Sequence, residues 1–193
     1  KDEAWVREHY AEPSSFIRAR RALAVPQREA AAPLVDQAGY KTRLYRAGRP
    51  AGEFDVSFRQ ARGPKLVRGD NKTPRGMYFV IGKHRGEFGG EYGAYYGGHW
   101  VKINYPNKFD AARGRAGGLL TREQEARIAA AWERRAPTLE STPLGGGMGF
   151  LGWASEWAND GPRHLSWGCV VLHLSDVGKF YEQVPEGAMV VIF

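Results

Sequence analysis

Ser166-Trp167-Gly168-Cys169-Val170-Val171-Leu172 sets the only cysteine of the chain between a small-residue turn and an apolar run. A solitary cysteine ahead of apolar residues is ordinarily a small core side chain. The left flank shifts that reading, because Ser166 and Gly168 let the backbone turn sharply and aim amide N–H groups at one point, as a developing oxyanion requires. Cys169 then begins a strand. Two further stretches crowd glycine with polar or aromatic residues. Residues 145–153 read Gly-Gly-Gly-Met-Gly-Phe-Leu-Gly-Trp, and residues 69–76 read Gly-Asp-Asn-Lys-Thr-Pro-Arg-Gly. The latter has the composition of a turn and leads into an apolar strand at Met77.

Outward from these stretches the pattern is mostly that of strands. Tyr40, Leu44 and Tyr45 precede Ala47-Gly48, and Phe54, Val56 and Phe58 recur at every second position, which predicts a hairpin. Further strands are expected at 77–81, 100–103 and 188–193, the last a continuous apolar run suited to burial on both faces. Thr121 with Gln124 three residues later has capping-box spacing and predicts a helix over 122–135, with Ile128 and Trp132 on one face and Pro137 as its stop. Ser175 is expected to cap a second helix whose Val177, Phe180, Tyr181 and Val184 form an apolar stripe. No βαβ alternation and no repeat is seen. The class is mainly β with α (α+β), with residues 1–33 forming an N-terminal helical arm that packs through Trp5, Tyr10 and Phe16, and residues 34–193 forming one domain.

Composition narrows the function. A chain of 193 residues can bury a core without staples, and one cysteine excludes an intrachain disulfide and a zinc ribbon, any thiolate metal site needing His or carboxylate partners. No apolar run reaches the ~18 residues of a membrane span, so a soluble chain is expected, compatible with a form trimmed from a longer precursor. The net charge of +7 favours polyanionic partners, but the basic residues are scattered among carboxylates and no nucleic-acid recognition motif appears. No metal and no cofactor is expected.

Taken together, Ser166-Trp167-Gly168-Cys169, Thr73-Pro74-Arg75-Gly76, Leu151-Gly152 and Asn104-Tyr105-Pro106-Asn107 resemble the ordered motifs of the YkuD-type L,D-transpeptidases of bacterial cell walls, in the subgroup with a long insertion. The resemblance covers residues 34–193 and places a helical insertion at about 106–141. It implies a β-sandwich of L,D-transpeptidase type, an extracytoplasmic location, and a cysteine that attacks the diaminopimelate–D-alanine bond of a peptidoglycan tetrapeptide stem. The acyl group would pass to an amine or to water, with another stem, a lysine-bearing anchored protein or a free D-amino acid as the amine source. It also implies that Cys169 is the nucleophile, flanked by Ser166 and by the amides of Gly168 and Cys169 around the oxyanion. Leu151 stands where the family carries its catalytic histidine. Trp167 and Val171 stand where many members carry histidine and arginine.

Leucine cannot accept a proton, so this chain is expected to be impaired or to be a wall-binding pseudoenzyme. A carboxypeptidase or amidase on the same fold, and a basic nucleic-acid binder, are the other classes in view. The substrate-binding candidates are Trp153, Trp167, Gly152, His173 and Tyr105. In a regular strand His173 shares a face with Cys169 and Val171, although the four-residue offset of ~13 Å is too long for a thiol contact. Tyr92, Tyr95 and Tyr96 are expected either to cap the site or to pack on the body. His164 reads as an exposed loop residue.

Overall fold

The structure is a computed structural model that describes residues 31–47, 49–58, 63–158 and 164–193. The expected N-terminal arm, with Trp5, Tyr10 and Phe16, lies outside the described residues, as does His9. Eight strands form a closed barrel: β1 (Ala32–Asp36), β2 (Lys41–Arg46), β3 (Arg49–Ser57), β4 (Gly76–Arg85), β5 (His99–Ile103), β6 (Gly149–Leu151), β7 (Val170–Leu172) and β8 (Met189–Ile192). Their order around the barrel is β1-β2-β3-β7-β6-β5-β4-β8. Among the described residues three helices are appended: α1 (Lys108–Ala116), α2 (Arg122–Glu133) and α3 (Leu174–Gln183).

Two long strands join what would otherwise be the two layers of a sandwich. β3 pairs with β2 through Asp55 and then with β7 from Val56. β4 pairs with β8 over Gly76–Phe79 and with β5 from Val80 onward, with a register shift at Val80/Gly82. The expected β2–β3 hairpin is present in antiparallel register. β8 is buried on both faces: Val190 and Ile192 point into the main core, and Met189 and Val191 join a second cluster with Leu34, Met77 and Phe79.

Helix α3 closes one end of the barrel. Its Val177 and Phe180 are buried with Phe54 and Phe150, the Phe180 ring lying 4.7 Å from that of Phe150. Each such side chain contributes about 1.5–3 kcal/mol by leaving water. The helix begins one residue before Ser175, with His173 at the N-cap and no side-chain cap. The capping oxygen comes instead from Glu156, whose carboxylate accepts from the Ser175 amide.

The pair α1–α2 falls within the expected insertion. Thr121 and Gln124 make the reciprocal bonds of the capping box. A second box, which the sequence analysis missed, joins Asn107 and Asp110 at the start of α1. Asn104 and Asn107 tie this insertion to β4: the Phe79 amide donates to Asn104 Oδ1, and Asn107 Nδ2 donates to the Met77 carbonyl. Among the described residues no helix is long and apolar enough to cross a membrane.

Candidate active site

The site is built on two short parallel strands, β6 and β7. Phe150 pairs with Val170 and Leu151 with Val171. Side chains alternate across the sheet, and Phe150, Val170 and Leu172 take the core face. Leu151 and Val171 therefore take the opposite face, while Cys169, which precedes β7, packs its side chain against the main core. Strand spacing of ~4.8 Å and a rise of ~3.3 Å per residue, continued one position before β7, set the Leu151 and Cys169 Cα atoms roughly 8 Å apart. Leu151 is buried, and Cys169 is half-buried.

Three loops shape the approach to the thiol. The Cys169 thiol lies 3.9 Å from the Gly147 carbonyl, which ties the glycine-rich segment before β6 to it. Gly168 has φ +135°, and a Cβ there would lie 2.7 Å from the Lys72 carbonyl oxygen. No larger residue fits this turn without moving the 63–76 loop. The hydroxyl of Ser166 donates to the Cys169 carbonyl at 2.5 Å and accepts from the Gly168 amide at 3.2 Å. Ser166 thus staples the turn. This corrects the expectation for the Gly168 amide, which is engaged by Ser166 rather than aimed outward at an oxyanion.

Burial pushes the Cys169 thiol up to about 11, against the opposing pull of the Gly149 amide and the charge of Lys65. Lys65 is itself buried, donating to Asp70 Oδ1 at 2.8 Å and to the Val67 carbonyl at 3.2 Å. Burial raises the Asp70 carboxyl, but the bond from Lys65 and the amides of Leu66, Lys72 and Val67 outweigh it, so the group titrates below its ordinary value. Asp70 therefore organises the loop that presses the Lys72 carbonyl against Gly168. Nothing in the residue types around Lys65 announced this role, whereas Asp70 was legible as a turn residue.

The aromatic residues surround this turn unequally. Trp167 is 52% exposed, and its indole meets Tyr92 at 5.2 Å and Tyr95 at 6.4 Å, both nearly perpendicular. Tyr95 also contacts Trp153 at 4.8 Å. The tyrosine loop thus packs on the two tryptophans that follow Gly152 and precede Gly168. Gly152 permits that contact: its amide donates to the Tyr96 carbonyl, and a Cβ there would meet the Gly97 Cα at 3.1 Å. Tyr96 is shifted upward by burial and by the neighbouring Cys169.

Two substrate-binding candidates are placed elsewhere. Strand β7 ends at Leu172, so His173 does not continue the face of Cys169. It is buried, with Nδ1 2.8 Å from Glu156 Oε2 and its ring stacked on Trp157 at 3.8 Å. The bond to His173 holds the Glu156 carboxyl below its ordinary value. Tyr105 is fully buried, with its hydroxyl donating to the Leu144 carbonyl at 3.0 Å and its ring against Tyr78. Full burial in the main core, with the Lys65 ammonium 5.8 Å from the ring centroid, makes it a core residue rather than a cleft residue. His164 is exposed, as expected.

The barrel, the small-residue turn before β7 and the helical insertion agree with a family model described as the L,D-transpeptidase catalytic domain (YkuD), which matches residues 33–192. The chain belongs to this family. No curated protein matches it. Among solved structures, the L,D-transpeptidase domain is similar to the helical cell shape determining protein Pgp2 from Campylobacter jejuni, with 23% identity, TM-score 0.56, and coverage of 84% of this chain and 47% of that one. Bd1075 from Bdellovibrio bacteriovorus matches with 20% identity, TM-score 0.52, and coverage of 86% and 48%. An L,D-transpeptidase from Stackebrandtia nassauensis matches with 15% identity, TM-score 0.50, and coverage of 95% and 67%. At these identities the likeness is one of fold. The L,D-transpeptidase domain spans about half the length of the first two.

Proposed function

We propose that this domain is a peptidoglycan L,D-transpeptidase-like acyltransferase whose nucleophile is Cys169 and whose base position is filled by Leu151. The observation that supports the reading is the register of β6 and β7, which pairs Leu151 with Val171, two residues after Cys169. In the reaction, the Cys169 sulfur attacks the carbonyl carbon of the diaminopimelate–D-alanine bond in a tetrapeptide stem. The C–N bond breaks, the thiol proton goes to the departing D-alanine amine, and a thioester remains. An acceptor amine, from a second stem, an anchored protein's lysine or a free D-amino acid, or else water, then takes the acyl group and returns the proton to sulfur. The substrate places the protein outside the cytoplasm, in the periplasm or wall.

A histidine at position 151 would take the thiol proton and favour a thiolate–imidazolium pair. Leucine leaves the thiol protonated at neutral pH, since burial raises its pKa to about 11. That observation favours a second reading, in which the domain binds wall peptides without turning them over. Incubation with tetrapeptide muropeptides followed by intact-mass measurement separates the two. A thioester adduct on Cys169 supports the slow enzyme, and binding to purified sacculi with no adduct supports the pseudoenzyme. Failure to bind sacculi or muropeptides contradicts both.

A further inference from the structure

Two walls of opposite chemistry meet the turn before Cys169. The 63–76 loop, whose Lys72 carbonyl meets Gly168, carries exposed Arg68 and Arg75 together with Lys72. The other wall, formed by residues 86–98 and 152–158, contains no lysine or arginine and carries exposed Glu87 and Glu91. It presents instead the rings of Tyr92, Tyr95 and Trp153, and Trp167 packs against the two tyrosines. Among the described residues Trp167 is the most exposed of the large apolar side chains, and two nearly perpendicular tyrosines hold its indole. An exposed indole fixed in this way is ordered before a ligand arrives, so little conformational entropy is lost on stacking.

We infer that the Trp167 indole, braced by Tyr92 and Tyr95, is a stacking platform for the neutral amino sugar of the glycan strand from which the stem peptide hangs. The inference rests on the peptidoglycan reading above. Charge argues for a sugar here: the stem's carboxylates are attracted to the basic wall and repelled by the acidic one, whereas an uncharged N-acetylated pyranose offers an apolar C–H face to a ring. Reach argues likewise. With the scissile carbonyl at Cys169, about three stem residues separate it from the sugar, roughly 10 Å of extended chain. Trp167 is two residues from Cys169, at most about 7 Å between Cα atoms, and its side chain extends beyond that.

The test compares binding of the free tetrapeptide and of the same tetrapeptide carrying its N-acetylated disaccharide, measured by calorimetry on the full chain and on Trp167→Ala, Trp167→Phe and Tyr92→Ala variants. The platform predicts that the disaccharide tightens binding by about tenfold in the parent. Trp167→Ala should lose that gain while its affinity for the free tetrapeptide stays within twofold, Trp167→Phe should retain most of it, and Tyr92→Ala should fall between. Equal affinity for the two ligands in the parent overturns the platform and leaves the peptidoglycan reading standing. Loss of free-tetrapeptide affinity in Trp167→Ala also overturns it, because the ring would then be contacting the peptide. Failure of the parent to bind either ligand overturns both readings.

Discussion

Leu151 faces Val171 across two parallel strands, two residues after Cys169 in the register. In the proposed reading position 151 is that of the base, and it holds a leucine. The environment of the Cys169 thiol holds its proton: burial dominates over the Gly149 amide and the Lys65 charge, and the pKa stands near 11. The alkylation rate of Cys169 with iodoacetamide should accordingly rise through the alkaline range with an inflection at about 11, above the ~8.5 of a free thiol. An inflection at or below 8.5 would show that the thiol is activated as the chain stands.

Gly168→Ala tests the turn. The substitution puts a Cβ 2.7 Å from the Lys72 carbonyl at a φ of +135°, a region that disfavours side chains. A loss of about 1–3 kcal/mol is expected, or several degrees in Tm, together with altered Cys169 alkylation. Unchanged melting and reactivity would mean that the 63–76 loop moves aside freely.

Asp70→Asn should cost about 3–5 kcal/mol, because it leaves the buried Lys65 without its charge partner. The sign of the pH dependence follows from the direction of the shift. The folded-state pKa of Asp70 lies below its unfolded value of ~3.9, so its contribution is complete above about pH 4 and is lost as pH falls through the folded value. The Tm gap between parent and variant should be wide at pH 6–7 and close in strong acid. A gap that stays constant down to pH 2 would contradict the pairing.

Tyr105→Phe removes the hydroxyl that donates to the Leu144 carbonyl. A stability loss of about 1 kcal/mol with unchanged muropeptide affinity is expected of a core residue. A selective loss of affinity at unchanged Tm would return Tyr105 to the cleft.

The fold was legible where local pattern and burial coincide. The alternation of Phe54 and Val56 marks a strand with one face on the core, and Thr121 with Gln124 marks a helix start, because each signal lies within a few residues. β6 has only three residues, one of them glycine, too few for a period to show, and only the motif resemblance of Leu151-Gly152 pointed to a strand end there. The start of α3 was misread because its capping oxygen comes from Glu156, 19 residues before Ser175. His173 was placed on the wrong element for a related reason: β7 stops at Leu172, where a bond to Glu156 and stacking on Trp157 hold His173 instead. Lys65 shows the limit most plainly, since a lysine buried against an aspartate five residues later has the same local sequence as an exposed one.

The central claim is that Leu151 occupies the position of a missing base for Cys169. Leucine and histidine are of comparable size, so Leu151→His can be accommodated in the same site beside Gly152. The decisive measurement is D-alanine release from tetrapeptide stems by the parent and by Leu151→His, with Cys169→Ala in the histidine background as the control. The account predicts a rise of at least ~10²-fold on introducing histidine, with the alkylation inflection moving below that of the parent and both effects erased by Cys169→Ala. A histidine variant that folds, alkylates like the parent and releases no D-alanine would contradict it.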